Sequence, residues 1–450
     1  MAGSILIHNA LILNERCSFA GSVLLVNGLI REVVKGNLSK NMIPLGTEIL
    51  DAGGRMLIAG VIDSHVHFRE PGLTHKGDIA SESRAAVAGG ITSFMEMPNT
   101  RPPALTHSLL EEKFTIASQK AVANYSFYFG TSNENVSEVL RTDPRTVCGL
   151  KIFLGSSTGN LLVDNQNILN ELFAKSKMLI AVHCEDESII QENIRLYREK
   201  YGEAIPVEMH PVIRNEEACY RSSLATVELA RRHNTRLHIL HLSTAKEMEL
   251  FDNKTPLAFK RITAEVCVHH LWFSSDDYAA LGNRIKWNPA IKESHHREEL
   301  LKALINNRLD VVGTDHAPHT LSEKAETYFK APSGAPLVQH SLVAMLELYH
   351  RGLLSLETIV EKMCHAPAVC YRLEQRGFIR PGYYADLTLV DLNAPQTVNS
   401  GNILYKCGWS PFEGTTFHST VTHTFVNGNL VWNQGILHPY KAMQLIFKPW

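Results

Sequence analysis

The sequence predicts an α/β fold, a (β/α)8 TIM-like barrel carrying a small β-sandwich built from both chain termini. Three observations predict it. Short apolar runs alternate with amphipathic stretches through the middle of the chain. Chemistry-bearing residues recur at the ends of those runs. The two flanks read instead as short strands joined by turns. Eight runs read as strands, at 57–62, 92–97, 124–129, 147–153, 178–183, 236–241, 262–268 and 311–314. They are rich in Val, Ile, Leu and Phe without strict alternation, the pattern of parallel strands buried on both faces. Helical spacing lies between them. Asp78 to Ala88 opens on an Asp cap and stops at Gly89-Gly90, and Leu161 to Lys177, Glu216 to His233 and Glu298 to Asn307 continue the alternation.

In the flanks, Ile5–Leu13, Ser22–Asn27, Ile30–Lys35 and Ile49–Ala52 read as strands near the start. Asp386–Asp391, Thr420–Val426 and Asn429–Trp432 read as strands near the end, with Asn427-Gly428 as a hairpin turn. Neither flank is long enough to bury a core alone, so the expectation is one composite domain from residues 1–55 and 371–450 beside a barrel at 56–370. The widest irregular stretches, Gly155–Asn160 and Ser322–Pro336, follow barrel strands and are the candidate lids.

The chain has 450 residues, with Lys+Arg 44 against Asp+Glu 46, a net charge of −2. That balance argues against a nucleic-acid binder or a polybasic membrane-surface protein. No apolar run approaches the roughly 18 residues that span a bilayer, and the first residues lack the basic region of a signal peptide. The 8 Cys form no Cys-x-x-Cys pair, so they read as reduced thiols of a cytoplasmic protein.

The 22 His matter through their positions. His65 and His67 follow the first apolar run, and side chains two apart in an extended segment point the same way. The pair reads as a chelate, or in isolation as two hydrogen-bonded histidines. His183 and His241 end two further runs, Asp315 follows Val311–Thr314, and Lys151 sits inside Cys148–Phe153. A barrel gathers strand ends on one face, so these six converge, and four imidazoles with a carboxylate there suit a transition metal. Lys151 is costly as a buried cation. It reads as a snorkelling or carboxylate-paired lysine, or as an amine of lowered pKa that takes up carbon dioxide and bridges two metals as a carbamate. Several neighbours read more plainly. Asp63 is placed to bond a ligating imidazole, and His316 to position Asp315. His238 lies on the opposite strand face from His241, while His269-His270 and Cys184 are supporting or core residues.

The motifs His65-Val66-His67-Phe68-Arg69-Glu70-Pro71-Gly72, Glu96-Met97-Pro98-Asn99-Thr100, Gly149-Leu150-Lys151, His183-Cys184-Glu185, Asp315-His316-Ala317-Pro318-His319 and Trp409–Gly414 together carry a resemblance. Over nearly the whole chain the sequence resembles the cyclic amidohydrolases of the amidohydrolase superfamily, and within them the dihydroorotases of the lysine-bridged class. The resemblance implies two Zn2+ per chain, one on His65 and His67 and one on His183 and His241, bridged by carboxylated Lys151 and a hydroxide. Asp315 is implied as the remaining ligand and catalytic residue, the proton acceptor and donor of the reaction. Arg69, Asn99, Asn288 and His319 are implied as substrate-binding residues, the first two and His319 for a carboxylate. The implied partner is a small molecule, dihydroorotate or N-carbamoyl-L-aspartate, in de novo pyrimidine (UMP) synthesis. No nucleic-acid or membrane partner is expected, and a homodimer is. Allantoinases and hydantoinases or dihydropyrimidinases share the metal pattern, and silent scaffold homologues share the fold. The stretch Ser333–His340 departs from the family's Gly-Leu-Glu-Thr loop, and Asn288-Pro289-Ala290-Ile291-Lys292 from its Asn-Pro-Pro-Leu-Arg.

Overall fold

The computed structural model describes residues 3–155 and 161–449, so the candidate lid at Gly155–Asn160 lies outside the described residues except for Gly155. Eight parallel strands form one sheet, in order along the chain: Val61–Val66, Ile91–Glu96, Asn124–Gly130, Gly149–Phe153, Ile180–His183, Leu237–Ile239, Ile262–Cys267 and Val311–Gly313. The seam between first and last is drawn together just past the strands, where the His67 N–H donates to the His316 carbonyl at 2.7 Å. Helices cover the outside. The helix Ile79–Ala88 has Asp78 as a capping box with Ser81 and ends at Gly89, as its sequence predicts. Glu216–His233 has the predicted bounds, whereas the other two helices are Gln166–Lys175 and Ser294–Ile305. Apolar side chains such as Ile62, Met95, Leu179 and Leu240 fill the barrel interior below the site.

The run at 57–62 is not one strand. Met56–Ala59 belongs to the second sheet, and the barrel strand begins at Val61. Gly60 marks the crossing: its N–H donates to the Asp386 carbonyl, and a Cβ there would lie 2.2 Å from Thr92 Oγ1. Both halves are fully buried, so hydrophobicity alone does not separate them. The second sheet has nine strands drawn from both ends of the chain. Met56–Ala59 joins them, pairing parallel with Ser4–Asn14 and antiparallel with Leu387–Asp391. The Asn427-Gly428 hairpin forms with both residues at positive φ (48° and 74°), the requirement that makes Asn-Gly its signature.

Candidate active site

The ten residues singled out in the sequence all line one cavity of about 260 Å3 at the C-terminal end of the barrel: His65, His67, Arg69, Asn99, Lys151, His183, His241, Asn288, Asp315 and His319. Three of them, Arg69 (φ 72°), His241 (φ 39°) and Asp315 (φ 49°), leave their strands through the left-handed region. Such backbone costs about 1–3 kcal/mol per residue and persists where surrounding structure enforces it, typically at functional sites.

The side chains form two donor sets. In the first, the Nε2 atoms of His65 and His67 lie 3.2 and 3.0 Å from Asp315 Oδ1. In the second, His183 Nδ1 and His241 Nε2 face each other at 3.0 Å, and Lys151 shares their cavity with Nζ 4.5 Å over the Phe153 ring. Each anchored ring has its other nitrogen committed. His65 Nδ1 donates to Glu265 Oε1 (2.7 Å), His67 Nδ1 to Asn99 Oδ1 (2.7 Å) and His183 Nε2 to Glu185 Oε2 (2.9 Å). Glu185 is held in turn by Arg214. These bonds fix the tautomers so that a lone pair points into the cavity, the arrangement a metal-ligating histidine needs.

The charges follow from burial and neighbours. Burial disfavours ionisation of Asp315, but His65 and His67 overcome it and hold the carboxyl well below the usual carboxylate range. Burial lowers Lys151 to about 8, with Asp315 and Glu265 opposing. Burial lowers His67 to about 4, leaving a neutral imidazole.

The donor chemistry fits a metal site. Imidazole and carboxylate donors converge on one point in the first set, and two imidazoles share the cavity with a buried amine in the second.

Several readings change. Asp63 bonds no imidazole. Its carboxylate accepts from the N–H groups of His65 and Thr314 and from Thr314 Oγ1, tying the first strand end to the last. The partner of the His65 ring is Glu265, a carboxylate inside the apolar strand Ile262–Cys267, whose sequence signal is the same as that of Lys151. His238 lies beside a carboxylate that supports the site, with Nε2 3.8 Å from Glu265 Oε2. His316 braces the wall: Nε2 donates to Glu82 (2.9 Å) and Nδ1 accepts the Leu337 N–H (2.9 Å). His269 stacks on Trp287, with centroids 4.2 Å apart.

Arg69, Asn99, Asn288 and His319 line the same cavity. Arg69 is 7% exposed, and it bonds neither Glu70 nor Asp78. Its Nε donates to the Pro318 carbonyl (3.1 Å) and its Nη2 lies 2.9 Å from His319 Nε2. Asn288 Oδ1 is buried without a partner. Asn99 Oδ1 is taken up by the His67 ring. The candidate lid at Ser322–Pro336 is pinned. Buried Lys324 Nζ donates to the carbonyls of Lys286, Pro332 and Gly334, and Lys286 Nζ to those of Tyr328 and Ala331.

Comparison with known proteins agrees with this geometry. The amidohydrolase family model matches residues 56–431. A dihydroorotase of Halobacterium salinarum is 32% identical over 423 residues, covering 90% of this chain and 96% of the relative. A dihydroorotase of Methanosarcina acetivorans is 33% identical, covering 85% and 83%. Among solved structures, the L-hydantoinase (dihydropyrimidinase) of Arthrobacter aurescens superposes with a TM-score of 0.93 at 25% identity over 100% of both chains. The barrel, the donor sets gathered at its strand ends and these matches lead to one conclusion: the chain belongs to the amidohydrolase family.

Proposed function

We propose that the chain is a dihydroorotase, interconverting (S)-dihydroorotate and N-carbamoyl-L-aspartate by hydrolysis and closure of the ring amide. The observation that carries this reading is Arg69. A buried guanidinium stands in the cavity wall beside His319, with Nε donating to the Pro318 carbonyl, Nη2 2.9 Å from His319 Nε2, and no carboxylate partner among the described residues. A planar, charge-assisted donor in that position suits a substrate carboxylate. The dihydroorotases among the relatives support the same substrate.

His65, His67 and Asp315 would hold one Zn2+, and His183 and His241 the other, with Lys151 as the bridging carbamate. That pair would supply Lewis acidity toward the ring carbonyl and increase the acidity of water. The chain's own residues supply the rest. Arg69 and His319 seat the carboxylate, and Asn288 Oδ1, otherwise unpartnered, accepts a ring N–H. Asp315, ionised and facing the donor set, takes the proton of the attacking water. It then returns that proton to the departing ring nitrogen, acting as base and then acid. The reverse direction closes the ring and would serve de novo pyrimidine synthesis. Among the described residues all 8 cysteines are free, in keeping with a cytoplasmic setting, and no helix is long and apolar enough to cross a membrane.

The L-hydantoinase superposition favours a second reading, hydrolysis of an uncharged ring. Turnover by zinc-loaded protein on dihydroorotate, carbamoyl-aspartate, hydantoin, allantoin and dihydropyrimidines, with Asp315→Ala as the blank, separates the two. Selective, Asp315-dependent interconversion of the first two supports a dihydroorotase. Preference for an uncharged ring overturns it.

A further inference from the structure

We propose that Lys76 is a positioning residue that sets the tautomer of His319 and so holds open an anion slot between His319 and Arg69. This rests on the carboxylate-substrate reading above. Lys76 sits in the turn before the Asp78 cap, where its N–H donates to the Leu73 carbonyl. Its Nζ lies 2.9 Å from His319 Nδ1 and 2.9 Å from Glu323 Oε1. Glu323 is fixed in its own capping box by the Thr320 N–H and, as the counterion of Lys76, opposes the lowering of its pKa by burial.

An ammonium has hydrogens to give and no lone pair to receive, so Nδ1 of His319 must accept. A neutral imidazole then carries its hydrogen on Nε2. That nitrogen has an acceptor of its own, the Ser333 carbonyl at 3.1 Å. It also has a second donor beside it, Arg69 Nη2 at 2.9 Å. The opposite tautomer would satisfy the Arg69 contact but leave Nδ1–H against the ammonium and Nε2 without a hydrogen for Ser333. The first arrangement satisfies two of the three neighbours, the second only one. It leaves Arg69 Nη2 as a donor with no acceptor at that contact, beside a His319 hydrogen already directed at Ser333, in a buried part of the cavity wall. An anionic oxygen is the group that satisfies Arg69 there and shares the His319 hydrogen with Ser333, and a substrate carboxylate supplies it. Burial, reinforced by Arg69, Lys76 and Lys324, keeps the His319 ring neutral, as the argument requires.

Without Lys76 the ring is free to turn Nε2 into an acceptor for Arg69, and the slot closes on itself. The expected result for Lys76→Met is a KM for dihydroorotate raised about tenfold or more with kcat changed by less than about threefold, the loss of one charge-assisted contact in binding alone. Lys76→Arg, which also only donates, restores KM. In 15N spectra of histidine-labelled protein without substrate, His319 shows Nδ1 bare and Nε2 protonated, and Lys76→Met exchanges or mixes the two signals. An unchanged KM with an unchanged tautomer overturns the proposal, and so does a fall in kcat that Lys76→Arg fails to rescue. Wild-type protein inactive on dihydroorotate would sink the substrate reading instead, and the 15N signals would still decide the role of Lys76.

Discussion

Glu265 Oε1 accepts the His65 Nδ1 hydrogen at 2.7 Å and, at 3.2 Å, the backbone N–H of His241, so one buried carboxylate fastens a residue from each donor set. Burial alone would push this carboxyl up, yet His65 and His238 hold it well below the usual range. Its charge makes His65 a stronger base toward a metal. Glu265→Ala is expected to weaken metal binding about 10–100-fold, the usual effect of removing such a partner. Chelator competition followed by metal analysis measures it. Unchanged affinity would show that the His65 ring holds its orientation by packing alone.

Lys151 has a different part in the same centre. Burial brings its amine to about 8, so a neutral fraction exists near neutral pH to take up carbon dioxide. On the proposed two-metal reading, Lys151→Met is expected to lower the bound metal from two ions per chain to one, retained by His65, His67 and Asp315, and to cost activity at least about 100-fold. Metal analysis of freshly purified protein reads the first effect. Two ions retained in the variant would exclude a bridging role.

His340 supplies a pH dependence remote from the metal donors. It is 6% exposed, and its Nδ1 accepts from the Tyr405 hydroxyl at 2.9 Å. Burial depresses its pKa to about 3 from 6.5. A histidine held neutral in the fold but free to protonate when unfolded stabilises the fold fully above 6.5, and that contribution is lost as pH falls toward 3. Between about pH 8 and about pH 5 the loss for this one group is about 2 kcal/mol. His340→Gln is therefore expected to flatten the fall in unfolding free energy by about that amount over the interval. Denaturant titrations at the two pH values test it, and an unaltered slope would assign the acid sensitivity to other buried histidines.

The legible parts of the site were those that topology alone assembles. His65, His67, His183, His241 and Asp315 each lie at or just past the end of a barrel strand, so the strand pattern is enough to bring them together. What escaped was of three physical kinds. Gly60 divides two strands of equal burial, and a hydrophobic run carries no mark of which sheet it joins. Glu265 and Glu185 act through rings already identified, and their partners depend on strand register that no local pattern encodes. Asp63 was assigned to an imidazole but bonds backbone across the barrel seam, a contact between residues 251 apart.

The loop that departs from the family pattern supplies the last test. Buried Lys324 donates to the Pro332 and Gly334 carbonyls at 2.9 and 2.8 Å and to the Lys286 carbonyl at 3.3 Å. Burial holds its pKa well below the ordinary lysine value. Pro332, Ser333 and Gly334 line the cavity, and the Ser333 carbonyl meets His319, so the Lys324 side chain shapes the cavity wall through the loop backbone. Lys324→Met keeps the length and apolar stem but leaves the Pro332 and Gly334 carbonyls without a donor, at about 1–3 kcal/mol for each buried group left unsatisfied. The variant is expected to melt at lower temperature and to raise KM more than it lowers kcat, because the loop contacts the substrate side of the cavity and not the metal donors. Melting curves and steady-state kinetics on the same preparation check both. Lowered stability with unchanged KM would make Lys324 a brace of the fold alone, and the wall would owe its shape to Lys286 and the His316 bracket instead.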